Sequence, residues 1–173
     1  MIDFTDELWY NIIMNSERLI LGYTEKIKIK KIDGARIDAP FIWAKIDTGA
    51  FSGVVHAENI IENDDKLEFD LVGNRALHMV IDDYETRYVR NTHGGRKQRY
   101  LADLTFEIDG REYKTKIGLD DRNKMKFDAL LGRYFINSES AIVDTQKNIE
   151  NDIEWKEKWF EFKAEYDNLK SVF

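Results

Sequence analysis

The stretch Trp43-Ala44-Lys45-Ile46-Asp47-Thr48-Gly49-Ala50 decides the reading of this chain. It runs strand-like into Asp-Thr-Gly, where Gly permits a tight backbone and the close approach of a neighbouring segment, and Thr supplies a hydroxyl for a bridging contact. Working outward, Lys26, Lys28 and Lys30 alternate with Ile27 and Ile29, the period of a strand. Asp33-Gly34 then signals a hairpin, and the chain returns through Ile37 and Phe41 to Lys45. Further on, Ala102, Leu104, Phe106 and Ile108 alternate with Asp103, Thr105 and Glu107. Asp109-Gly110 turns the chain, and Tyr113, Thr115, Ile117 and Leu119 return opposite Lys114 and Lys116. With further turns at Gly73-Asn74 and Gly94-Gly95, these hairpins predict a mostly antiparallel β domain without internal repeats.

The two ends read differently. Leu8, Ile12 and Ile13 suit a helix from Thr5 to Met14, with Thr5 as N-cap and Asp6 and Glu7 in its first turn. From Asn148 onward, Ile149, Ile153, Trp155, Trp159, Phe162, Tyr166, Leu169 and Phe173 recur at three- and four-residue steps, the pattern of an amphipathic helix. Its aromatic face suits packing on the domain or contact with a partner. The expected organisation is an N-terminal helical extension over 1–18, a β domain over 19–147 and a C-terminal amphipathic helix over 148–173.

Composition excludes several classes. The chain has 173 residues, 43% of them hydrophobic, enough for one domain with a substantial core. It has no cysteine, which removes disulfide scaffolds, thiolate zinc sites and Cys nucleophiles. Apolar runs such as Trp9 to Met14 are far shorter than the ~18 residues of a membrane span, and Met1 to Asp6 do not resemble a leader. A cytoplasmic protein without membrane association is expected. With 26 Lys+Arg against 33 Asp+Glu, the net charge of −7 argues against nucleic-acid binding by the whole surface.

A second element lies at Ala129-Leu130-Leu131-Gly132-Arg133, where two apolar residues precede Gly and Arg and Tyr134-Phe135-Ile136 follow. In aspartic proteases a segment of this type packs beneath the Asp-Thr-Gly loop. Together with Leu21-Gly22-Tyr23, Val55-His56-Ala57, Val89-Arg90-Asn91 and Gly118-Leu119-Asp120-Asp121-Arg122, the two elements make the region from Leu19 to Asp144 resemble a bacterial retropepsin-like family. Its members are often labelled ATP-dependent zinc proteases and are associated with RimK-type ATP-grasp ligases.

The resemblance implies a retropepsin-like closed β-barrel, the acid protease fold. It also implies an aspartic peptidase in which Asp47 is catalytic and Thr48, Gly49, Ala50, Leu130, Leu131, Gly132 and Arg133 support its loop. The chain has one Asp-Thr-Gly, whereas peptide hydrolysis by carboxylates needs two that share a proton, so a homodimer is expected. Asp144 does not supply the second, since Gln146 stands where Gly is required. Phe51 replaces the acid that in viral enzymes pairs with the Arg of the Gly-Arg segment, so Arg133 needs another partner.

The zinc label finds no support in spacing. There is no His-Glu-x-x-His, and His56, His78 and His93 are scattered. His56 reads as a structural histidine, and no metal or other cofactor is expected. The densest charge cluster is Arg87, Arg90, Arg96, Lys97 and Arg99 around Asn91-Thr92-His93-Gly94-Gly95, opposed in sequence only by Glu85. It reads either as a solvated basic hairpin or as a substrate-binding flap, whose Arg forks match carboxylates. The expected ligand is a peptide or protein substrate of acidic character, with an ATP-grasp ligase as a further partner. The competing readings are a non-catalytic module that binds acidic peptides or a ligase, and nucleic-acid binding through the same hairpin.

Overall fold

The structure is a computed structural model that describes residues 18–90, 95–152 and Glu157. The helix expected over Thr5 to Met14, the hairpin tip at Asn91, Thr92, His93 and Gly94, and most of the tail helix lie outside the described residues. The elements are β1 (Ile20–Leu21), β2 (Thr24–Ile32), β3 (Ala35–Arg36), β4 (Phe41–Asp47), β5 (Gly53–Asn63), β6 (Lys66–Leu71) and β7 (His78–Ile81). They continue as β8 (Glu85–Arg90), β9 (Arg96–Ile108), β10 (Arg111–Asp120), β11 (Ala129–Gly132), α1 (Arg133–Ser138) and β12 (Ile142–Val143).

Strands run in the order β10-β9-β2-β4-β11-β5, and β10 also pairs β5, so six strands close into a barrel. The molecule is thus mainly β. Alternation places Ile27 and Ile29 of β2, Leu104, Phe106 and Ile108 of β9, and Ile117 and Leu119 of β10 in the interior, all essentially inaccessible to solvent. In β2 the register slips between Ile29 and Lys31, a bulge that lets Ile32 rejoin the core after two consecutive lysines. From α1, Phe135 closes one side of the interior, its ring 5.1 Å from that of Phe106 in an edge-on arrangement.

The predicted hairpins form for the predicted reason. Asp33 and Gly34 have φ of 45° and 73°, and Asp109 and Gly110 have 49° and 80°, the left-handed pairs that tight hairpins require. A third such pair, Asp64 and Asp65 at 47° and 60°, joins β5 to β6 without a glycine. Near Gly73-Asn74 the turn falls one residue early, on Val72 and Gly73, and Asn74 caps a short 3-10 turn over Arg75–Leu77.

Closure depends on parallel pairs that hairpin signals do not reveal. β4 pairs β11 in parallel, as do β5 with β10 and β1 with β12. The tail also departs from expectation at its start. Asn148 is left-handed at φ 60°, and Ile149–Asn151 is a 3-10 turn rather than the first turn of a long helix. The reason is polar anchoring to β2: Asn148 Nδ2 donates to the Thr24 carbonyl at 2.6 Å and Asn151 Nδ2 to Thr24 Oγ1 at 2.9 Å. Gly22 makes room for this segment, because a Cβ there would collide with the Lys147 carbonyl.

Candidate functional site

Asp47 is the last residue of β4, and the parallel ladder sets Lys45, Ile46 and Asp47 against Leu130, Leu131 and Gly132. The two sequence elements are therefore neighbours. α1 begins at Arg133, and its first N–H groups lack partners within the helix. The loop after Asp47 supplies them: Arg133 N donates to the Ala50 carbonyl at 2.9 Å and Tyr134 N to that of Phe51 at 2.8 Å. Gly132 is extended, so its value is space rather than backbone freedom. A Cβ there would lie 2.8 Å from Ser52 backbone atoms and 2.9 Å from the Ala50 oxygen.

The carboxyl itself is held by its own turn. Asp47 Oδ1 accepts the N–H groups of Gly49 at 2.9 Å and Ala50 at 3.2 Å. Among the described residues Oδ2 has no hydrogen-bond partner, and Asp47 is half-buried beside exposed Thr48 and Gly49. Gly49 does not take a left-handed conformation, as a tight turn had suggested. It matters because an added Cβ would sit 3.1 Å from Asp47 Oδ1 and crowd the bonded carboxylate. Leu130 is half-buried, Leu131 and Gly132 are buried, and Arg133 is exposed with no ion pair among the described residues. Asp144 instead closes a local turn after β12, its Oδ1 accepting Gln146 N at 2.9 Å.

The basic segment is a hairpin, with β8 and β9 paired from Glu85–Leu101 to Arg90–Arg96. Its charge is less free than the sequence implied. Asp120 of β10 takes hydrogen bonds from both Lys97 and Arg99, the latter at 2.7 Å. Burial would raise the Asp120 carboxyl, but these two cations outweigh it and hold the group below its usual range. Arg99 lies on Gly118, where a Cβ would meet its Cδ at 2.6 Å, and its buried Nε has no hydrogen-bond partner among the described residues. Glu85 receives Lys116 at 2.8 Å and Arg87 at 3.0 Å, which lower its carboxyl in that order of importance.

The hairpin's base adjoins the Asp47 loop. Glu85, Arg87 and Leu101 line a hollow of about 170 Å³ together with Phe51, Ser52, Tyr134 and Lys116. Arg96 and Gly95 are exposed, Arg96 at the outer end of the β8–β9 pairing. The sequence did not show that Lys116 and Asp120 pair with this hairpin, because they lie on β10, far along the chain from the charges they meet.

His56 gathers Glu58 and Asp121, and one ligand atom from each lies within 4.8 Å of the others. This set does not suit a metal as arranged. His56 Nδ1 accepts the Arg122 N–H at 2.9 Å, so a neutral ring carries its proton on Nε2, which lies 3.5 Å from Glu58 Oε1. The ring presents a proton to the carboxylate where a metal ion would need a lone pair. His56 is buried, 4% exposed, and its ring ties β5 to the loop after β10.

Fold and site together define a mainly β protein, a closed six-stranded barrel with an Asp-Thr-Gly loop at the end of one barrel strand. No protein-family model matches the chain. It is similar to a probable alpha-L-glutamate ligase of Shewanella halifaxensis, 24% identical over 170 residues, which cover 91% of this chain and 36% of that protein. A protein of the same name from Shewanella pealeana is 23% identical over 138 residues, 75% of this chain and 29% of the relative. The chain thus spans about a third of the length of the curated relatives it matches. Among solved structures, a Legionella pneumophila protein of unknown function (DUF785) superposes with a TM-score of 0.54 and 26% identity, over 75% of this chain and 95% of that one. Among the described residues no helix is long and apolar enough to cross a membrane.

Proposed function

We propose that this chain is an aspartic-type peptidase of retropepsin-like architecture, active as a homodimer with one Asp47 from each subunit. The observation that carries the reading is the in-register pairing of Asp47 with Gly132, which leaves a carboxyl fixed through Oδ1 and open at Oδ2. Exposed Thr48 and Gly49 leave that face accessible to a second copy. Two facing Asp47 groups would share one proton. The ionised one takes a proton from water as the water attacks the peptide carbonyl, and the protonated one donates to the carbonyl oxygen. No step requires a metal or cofactor.

An acidic peptide is the favoured substrate class. Arg87 and Lys116 face the hollow beside the Asp47 loop, and the similar Shewanella proteins are named for glutamate ligation. Asp47→Asn tests the mechanism: it should abolish hydrolysis of acidic peptides and leave the thermal midpoint within a few degrees of the parent. Undiminished hydrolysis by that variant refutes it.

The same relatives favour one second reading. A region like this chain makes up about a third of proteins named as ligases, which suits a non-catalytic module that presents acidic chains to a ligase. Peptide binding without hydrolysis, by a protein that stays monomeric, would select that reading.

A further inference from the structure

The hollow beside the Asp47 loop has two cations, one anion and apolar walls. Glu85 Oε1 takes Lys116 Nζ at 2.8 Å and Oε2 takes Arg87 at 3.0 Å, so one carboxylate is gripped at both oxygens by groups from two strands. Lys116 also reaches Asp103 at 3.4 Å, in the adjoining hollow. Phe51 and Tyr134 form the walls, their ring centroids 6.3 Å apart, with Phe51 62% and Tyr134 49% exposed. Together they give the hollow an apolar wall open to solvent.

We propose that Arg87 and Lys116 form a seat for the side-chain carboxylate of an acidic peptide, and that Glu85 fills this seat when no peptide is bound. The proposal rests on the reading of Asp47 as the centre of a peptide site. The geometry already shows the seat holding a carboxylate, with one oxygen on the guanidinium and the other on the ammonium. The ligand's methylene stem lies along Phe51 and Tyr134, which gives a glutamate side chain both an apolar path and an ionic end. Glu85 is a competitor that keeps the two cations paired, and an incoming carboxylate exchanges with it rather than adding a charge. This exchange favours substrates with several acidic residues, whose second carboxylate replaces a first that dissociates.

The test uses the full chain carrying Asp47→Asn, so that binding is read without hydrolysis. A short peptide of alternating Gly and Glu is titrated by calorimetry beside the same peptide with Gln in place of Glu. The Glu peptide should bind more tightly. Arg87→Gln or Lys116→Gln should weaken it by about tenfold, the effect of one partly exposed charged hydrogen bond, and leave the Gln peptide unchanged. Lys116→Arg, which keeps the charge, should retain the preference, and Glu85→Gln should tighten the Glu peptide severalfold. Equal binding of the two peptides, no binding of either, or indifference to Arg87→Gln and Lys116→Gln overturns the proposal. The outcomes separate from those of the peptidase reading. Asp47-dependent hydrolysis without charge preference removes the seat alone, and charge-dependent binding without hydrolysis removes the peptidase alone.

Discussion

Replacing Gly132 with Ala adds one methyl group where the Asp47 loop crosses the start of α1. The new Cβ would lie 2.8 Å from the Ser52 carbonyl carbon and oxygen and 2.9 Å from the Ala50 oxygen. All three are backbone atoms, which cannot rotate away as the end of a side chain can. Relief requires the loop to move off β11, and that movement weakens the bonds from Arg133 N to Ala50 and from Tyr134 N to Phe51. Overpacking of this kind costs about 1–3 kcal/mol, and two stretched backbone hydrogen bonds add to it, so a loss of about 2–4 kcal/mol is expected. For a domain of this size that corresponds to a fall of about 5–15 °C in Tm. Urea denaturation and thermal melts followed by circular dichroism measure both quantities. Gly49→Ala is the companion variant, because its Cβ would crowd only Asp47 Oδ1 at 3.1 Å; it should disturb the carboxyl and spare stability. A Gly132→Ala protein within about 0.5 kcal/mol of the parent would refute the argument that the two sequence elements lock each other by close approach.

Other outcomes follow from charge and burial. Asp70 is buried, and its hydrogen bond from Asn59 at 2.7 Å, with His78 next in importance, lowers its carboxyl below the usual range. A carboxyl depressed in the folded state stabilises above its unfolded pKa of about 4 and loses that effect as pH falls through the folded value. Melts from pH 7 to 3 should therefore show the parent's lead over Asp70→Asn shrinking only below about pH 4; a lead that stays constant contradicts the assignment. Glu25 has a side chain 4% exposed and pairs with Lys147 at 2.8 Å while accepting Gly22 N at 2.6 Å. Lys147→Met should cost about 1–3 kcal/mol in chemical denaturation, since a buried carboxylate loses its counter-charge but keeps one donor; a change below about 0.5 kcal/mol would show that solvent already screens the pair. Because His56 Nδ1 is committed to Arg122 N, a chelator should leave hydrolysis unchanged, and activity lost to a chelator and restored by zinc would overturn that view.

The hairpins at Asp33-Gly34 and Asp109-Gly110 were legible because their signals are local: a left-handed residue pair between alternating strands. The link at Asp64-Asp65 was not, since aspartate reaches the same conformation without advertising it. The parallel pairing of β4 with β11 left no periodic trace, and only the likeness of the two motifs to a known family suggested that they meet. Charge read along the chain also misled. The basic hairpin looked opposed by Glu85 alone, yet Asp120 neutralises Lys97 and Arg99 from a neighbouring strand. Sequence distance hides a partner that strand pairing brings close. The start of the tail helix failed for a similar reason, because the amide side chains of Asn148 and Asn151 are used on Thr24.

The central claim is that two copies of this chain complete one site. A crystal structure of the protein at neutral pH tests it through the separation of the Asp47 carboxyl groups of neighbouring copies. Two of these groups should face each other across a two-fold axis within hydrogen-bonding distance, about 2.5–3.0 Å between their nearest oxygens. A protein whose Asp47 side chains all face solvent or unrelated residues, with no two-fold partner, would contradict it.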